Sequence, residues 1–457
     1  MELWEKNLST AFDLLSTPLG LAGLVLLLVL SAFATSQRVA YAILFILLVL
    51  SLATSPATPR RAGYTYYPIA QPFEAFRQNS RVVTTIALLG LLVPSVARRS
   101  VGLVPTLGVA AFLLFHALFL GQAIVREGEA LKRSLLLLTV ILIYIVMTGL
   151  PLRHRDDWYR SWKLVAYALV IFILINLCLV LMGSTGLFAS KRFQGFTANP
   201  QATAQVMALS LVVLVAGLTD ARFRRALRMP KWALIPLIGT AAGFIAWTGS
   251  RTGAIVAVFG LALLLRRRLG MALVYAIPAI FVGYLFINQV ANRSTDDRDV
   301  QFAVTRLLDT TNTRHGAWSE LSREFMSSPL FGRGGEMEAS FTESSFLLVG
   351  ARIGLVGLVP LVAACVLVIL EAMRAARAGA YLGKSHTAVQ LPLATVGMIL
   401  LSALAEGYLI GQFQISVALI FLVSVTGRAF ERLPDTAEET LPLWDTAEPL
   451  LPSHSYS

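Results

Sequence analysis

Charge is scarce in this chain: Asp, Glu, Lys and Arg make up 14% of its 457 residues, whereas 56% are hydrophobic. Mean hydropathy is +0.71, more apolar content than a soluble core could bury, so lipid has to be the solvent for much of the fold. Cysteine is scarcer still. Its two examples, Cys178 and Cys365, lie in apolar runs and offer neither a disulfide framework nor metal-ligand spacing. Alternating strand-like segments of barrel length are lacking, which leaves helices as the way to satisfy backbone groups in lipid. Met1 to Asp13 lacks a basic n-region and a small-residue cleavage site, so the first apolar run is expected to remain as a membrane helix.

What is there is a series of apolar runs, near 18–35, 38–54, 82–97, 101–124, 134–150, 162–187, 200–219, 231–248, 252–265, 270–290, 344–371, 388–405 and 410–427. They predict an all-α integral membrane protein of about 12 to 14 transmembrane helices. The expected organisation is a block of spans with short loops over 1–290, a long outer loop at 291–343, further spans over 344–427 and a disordered inner tail at 433–457. A formal net charge of +12 would suggest nucleic acid in a soluble protein. Here the cations must first be sorted by membrane side, and no nucleic-acid partner is expected. Arg222, Arg224, Arg225, Arg228 and Lys231 mark one inner loop, Arg266, Arg267 and Arg268 another, and Arg374, Arg377 and Lys384 a third. By alternation, 188–199, 249–251 and 291–343 face outward. The long loop, with a helical pattern around Thr313 to Met326 and a turn-rich stretch from Ser327 to Gly335, is the expected lid or catalytic loop.

Cations on the outer face run against the positive-inside tendency. Lys191, Arg192, Arg251 and Arg314 therefore mark an expected anion site, since Arg suits bidentate phosphate recognition and no acidic cluster nearby would hold a metal instead. For any single one of them, snorkelling to headgroups is the competing explanation.

Several stretches carry a family resemblance. Arg192-Phe193-Gln194-Gly195-Phe196-Thr197-Ala198-Asn199-Pro200, Gly249-Ser250-Arg251-Thr252-Gly253, and Arg314-His315-Gly316-Ala317-Trp318 followed by Ser328-Pro329-Leu330-Phe331-Gly332-Arg333-Gly334 resemble, in order and spacing, the O-antigen ligase and polysaccharide polymerase superfamily. Glu343-Ser344-Ser345-Phe346-Leu347 and Gly354-Leu355-Val356-Gly357 complete the pattern. The resemblance implies a GT-C-like polytopic glycosyltransferase of the bacterial inner membrane. Such an enzyme moves a glycan from an undecaprenyl diphosphate carrier to an acceptor glycan on the periplasmic face, without metal or cofactor. A chain-length regulator and a flippase of the same pathway are further partners it implies. By position, Arg192, Arg251 and Arg314 would hold the donor diphosphate.

Where ligases of this superfamily carry a His-Asn-Ser-Phe-like segment, this chain has Glu343 at the histidine position. That departure favours a repeat-unit polymerase over a ligase acting on lipid A-core or protein, with Glu343 as general base or as partner of an Arg. His315 could supply the base instead, or be a surface residue. Trp318 could stack on a sugar or pack the loop. Arg352 lies two turns into a span, where an ionisable group is expected to be functional or internally paired, with Glu343 or Glu406 as partner. Glu336 and Glu338 could contribute acid–base work but read first as solubilising loop residues, and Tyr64, Tyr66, Tyr67, Phe73 and Phe76 could line a glycan path but read first as an interfacial aromatic belt. A secondary transporter is the alternative of another class, but no inverted repeat and no matched pair of broken helices support it.

Overall fold

The computed structural model describes residues 105–127, 137–138, 140–145, 147, 155–181, 188–189, 192–197, 199–266, 314–334, 343–378, 387–407, 409–410 and 414–432. The expected spans near 18–35, 38–54, 82–97 and 270–290, the aromatic cluster at 64–76, Lys191, Glu336, Glu338 and the tail lie outside them.

The described residues form an all-α membrane protein. Its helices are α1 (Leu107–Glu127), α2 (Arg155–Leu181), α3 (Pro200–Thr219), α4 (Ala221–Leu227), α5 (Lys231–Thr248), α6 (Arg251–Leu265), α7 (His315–Ser327), α8 (Ser345–Ala378), α9 (Leu391–Ala405) and α10 (Gln414–Arg432). Among the described residues, five segments are long and apolar enough to cross a membrane: Asp157–Leu181, Pro200–Thr219, Lys231–Thr248, Ser345–Arg377 and Thr387–Ala405. Among the described residues, the sheet content is a two-residue antiparallel ladder that pairs Phe188 with Phe193 and Ala189 with Arg192. Large apolar side chains stay exposed along the helices, with Ile235 at 58%, Ile255 at 60%, Val258 at 66% and Val359 at 61%. Water would not tolerate such faces in number, whereas lipid does.

Apolar burial gives little drive for helices to associate in lipid, so close approach depends on small residues. Gly253 of α6 lies against Ala204 of α3, where a Cβ would overlap the alanine methyl. Gly260 of α6 sits against Met398 of α9 and Val212 of α3. Glu371, two turns before the C-terminal end of α8, accepts from the Gly108 amide of α1 (3.0 Å) and from the Ser424 hydroxyl of α10 (2.8 Å), tying three helices together.

The bundle has two distinct ends. At one, buried Asp220 accepts from Phe223 N (2.9 Å) to cap α4 and from Ala388 N (3.0 Å), while the hydroxyls of Thr219 and Thr387 meet at 2.8 Å. Arg222, Arg224, Arg225, Arg228 and Lys231 belong to this end. At the other end lie the start of α3, the α5–α6 turn, the start of α8 and the end of α9, so the motif residues are gathered opposite the basic loop.

Helix α8 is not continuous. Gly354 has φ +63° and ψ −156°, a region that is essentially glycine-only. The helical bonds lost there are replaced from the segment after α7: Leu355 N donates to Pro329 O (2.8 Å), Val356 N to Leu330 O (3.2 Å), and Arg333 N to Ala351 O (2.9 Å). Gly332 has φ +65° and rests on the Arg352 and Ile353 backbone, while Gly354 rests on Leu330 and Phe331. Each glycine makes room for the other strand of chain. The Ser328–Gly334 stretch is therefore main-chain bonded to a membrane helix. That is the geometry of a wall built against α8 by this part of the loop.

Candidate functional site

Arg192 is placed by alternation. In the short ladder its neighbour Phe193 is fully buried and stacks on Phe244 (4.8 Å, 15°) and Trp247 (5.6 Å, 16°) of α5. With Phe193 pinned, Arg192 falls to the other face and donates through Nε to Thr248 O (2.8 Å), at the C-terminus of α5. The rest of the motif fixes the chain that follows. Gly195, at φ +53°, lies against the Asn176 side chain, which accepts from Phe196 N (2.9 Å). Asn199 caps α3 by accepting from Gln201 N (2.8 Å), with Pro200 at the first helical position.

Arg251 is placed by two caps in succession. Gly249, left-handed at φ +58°, closes α5, and Ser250 opens α6 by accepting from Gly253 N (3.2 Å). Arg251 is then the first residue of α6 and half-buried, three residues after the carbonyl that holds Arg192.

Arg314 precedes α7 and reaches across to the end of α9, donating to the Ala405 carbonyl and forming an ion pair with Glu406. Glu406 is the C-cap of α9, just past the apolar span, and is 7% exposed. Its backbone carbonyl also accepts from Ser345 N (3.1 Å) and Ser345 Oγ (2.8 Å), so the start of α8 is built onto the same residue. Ser344, at φ +65°, makes the turn into α8 and leaves half-buried Glu343 beside it.

Burial raises the Glu406 carboxyl from its ordinary value to about 7, against the opposing pull of Arg314; the charge of Glu343 adds to the rise and that of Arg192 lowers it. Arg192, Arg314 and Glu343, from three separate connections, are thus near enough to Glu406 for their charges to act on it. One carboxylate oxygen of Glu343 is buried and has no hydrogen-bond partner among the described residues.

The other expected site residues take varied places. His315 is exposed at the start of α7. Trp318 closes the first turn by donating its backbone N–H to Arg314 O (2.9 Å), and its indole nitrogen is buried without a partner among the described residues. Arg352 is half-buried, and its backbone sits under Gly332. Lys191 lies outside the described residues. Glu406 was expected only as a partner for Arg352, yet the arginine that pairs with it is Arg314. The signal that could have promoted it was an acid immediately after an apolar run, an expensive place for a charge. Among the described residues, no group of three or more His, Cys, Asp or Glu could hold a metal ion.

Guanidinium groups facing two carboxylates can hold an anion and carry out acid–base work within one short radius. No protein-family model matches the chain, and no curated protein matches it. Among solved structures, a chain described under "Structural coordination of polymerization and crosslinking by a peptidoglycan synthase complex" is similar at 19% identity and a TM-score of 0.41, covering 70% of this chain and 98% of that one. A likeness at that level is too low to carry a conclusion about shared fold or shared chemistry.

Proposed function

We propose that this protein is a bacterial inner-membrane polysaccharide polymerase. It would transfer a repeat unit from an undecaprenyl diphosphate-linked donor to the sugar terminus of an acceptor glycan at the periplasmic face. The observation that carries the reading is the meeting of Arg192, Arg314 and Glu343 around Glu406, at the bundle end opposite the Arg222–Lys231 loop. The positive-inside tendency makes the basic end cytoplasmic and the site periplasmic.

In this reaction the acceptor hydroxyl oxygen attacks the anomeric carbon of the donor, and its proton passes to the Glu343 carboxylate. The bond from that carbon to the diphosphate oxygen breaks, and the lipid diphosphate leaves with the electron pair. Arg192, Arg251 and Arg314 stabilise the charge that develops on the leaving group. Glu343 suits the role of base because it has a buried carboxylate oxygen without a hydrogen-bond partner among the described residues. Trp318, one turn after Arg314, and Arg352 would have roles in holding glycan or donor.

The test is mass analysis of the carrier-linked glycans that accumulate when the protein is deleted. Single carrier-linked repeat units are the expected result. Long carrier-linked polymer with an unglycosylated acceptor would make the protein a ligase. Solute uptake by liposomes containing the purified chain, with no glycan transfer, would make it a transporter.

A further inference from the structure

The charges that act on Glu406, counted with its own, cancel. The cations that act on Glu406 are Arg314 and Arg192, and the anion is Glu343. With Glu406 itself that makes two cations and two carboxylates, a formal sum of zero. Arg314 is already engaged by the Glu406 carboxylate and by the Ala405 carbonyl. Other charged groups on the surrounding elements at this end are Arg251 at the start of α6, Arg352 on α8, and exposed His315 with Glu320, Arg323 and Glu324 on α7, the last ion-paired with Arg333. A diphosphate entering this place brings at least two negative charges against two resident carboxylates. Coulomb repulsion at such short range in a partly dry site is large. Neutralising one of the carboxylates relieves that repulsion.

Glu406 is the group built to yield. It is nearly buried, its carboxylate is paired with Arg314 alone in the ion pairs of the described residues, and its backbone is pinned by Ser345 and the α9 cap, so it cannot swing away as a loop residue could. We infer that anion binding here is coupled to protonation of Glu406: the incoming diphosphate takes over Arg314, and the Glu406 carboxylate accepts one proton from solvent as it does so. The inference rests on the diphosphate reading of the site. A proton acquired at Glu406 removes one negative charge and frees the guanidinium for the ligand. By linkage, whatever favours the proton favours the anion equally. With the free-site carboxyl raised to about 7, affinity should be near its maximum in mildly acidic solution and fall by about one decade per pH unit in alkaline solution.

The experiment is calorimetric titration of the full chain in lipid nanodiscs with citronellyl diphosphoglucose. Both phosphates of this diester are strong acids, so the probe itself does not titrate near neutrality. Runs in two buffers of different ionisation enthalpy count the protons taken up. For the unaltered protein, Kd should rise about tenfold between about pH 6 and about pH 8, with uptake approaching one proton at the alkaline end. Glu406→Gln should bind with no pH dependence and no proton uptake, at least as tightly as the unaltered protein does at the acidic end. Binding by the unaltered protein that is flat with pH and takes up no proton overturns the inference alone, and this readout needs no variant to fold. Loss of binding in a folded Glu406→Gln also overturns it, because Glu406 would then be orienting Arg314 rather than competing for it. Absence of binding at every pH removes the diphosphate reading itself, and the coupling with it.

Discussion

Substituting Gly354 by alanine tests the joint between α8 and the segment after α7. A Cβ at that position would overlap the Leu330 carbonyl and stand 2.6 Å from Phe331 N, all backbone that cannot rotate aside. The backbone angles there, φ +63° and ψ −156°, cost a non-glycine residue about 1 to 3 kcal/mol before any overlap is counted. The chain can relieve both by straightening α8, but it then gives up the bonds Leu355 N to Pro329 O, Val356 N to Leu330 O and Arg333 N to Ala351 O. At about 1 kcal/mol each, either route loses several kcal/mol. Thermal unfolding of the purified variant in detergent, followed by tryptophan fluorescence, should show a midpoint lower by roughly 3 to 5 °C. Glycan transfer should fall with it, since the wall between α7 and α8 is displaced. Gly316→Ala is the control, because that glycine lies in α7 with open space around it; its stability should be unchanged or raised by about 0.5 to 1 kcal/mol. A Gly354→Ala protein as stable as the unaltered chain would show that the break in α8 is not required and would refute the reasoning.

Arg314→Lys keeps a charge near Glu406 but loses the planar fork that reaches the carboxylate and the Ala405 carbonyl together; transfer should drop by at least about tenfold, as measured with a carrier-linked repeat unit in liposomes. Arg251→Ala and Glu343→Gln should each abolish transfer at unchanged expression, and full activity in either removes that residue from the proposed reaction. Glu371→Ala leaves the Gly108 amide and the Ser424 hydroxyl without their acceptor, so the variant should be destabilised by about 1 to 3 kcal/mol in the same thermal assay. Because the Glu406 carboxyl is raised from 4.5 to about 7, its protonated form favours the folded state. That contribution is complete below the ordinary carboxyl value and is lost as pH rises through about 7. The melting midpoint of the unaltered protein should therefore fall over that window relative to Glu406→Gln, and parallel profiles would contradict the burial of this charge.

The apolar runs announced α3, α5 and α6 to within a residue and α9 to within three, because an uninterrupted hydrophobic stretch of that length has few other fates in lipid. The glycines were legible as motif residues but not as what they build. Hydropathy is continuous across Ser345–Arg377, so nothing in the run betrayed that Gly354 breaks it, and the matching Gly332 lies in another segment altogether. Arg192, Arg251 and Arg314 stood out because cations are scarce on the outer side. Glu406 did not, for it meets Arg314 across 92 residues of sequence, and no local pattern reports a contact between two loop ends. Arg352 drew attention by its depth in a span, whereas its place under Gly332 depends on the bend in α8.

The order of synthesis suits the joint between Pro329–Arg333 and α8. An amide left unbonded in hydrocarbon costs several kcal/mol, and the amides of Leu355 and Val356 would be in that condition if α8 entered the bilayer alone with its break. The carbonyls of Pro329 and Leu330, which accept from them, leave the ribosome about two dozen residues earlier in the chain. The acceptor strand is thus already waiting when the interrupted span arrives, and a circular permutation placing it after α8 would strand those amides during insertion.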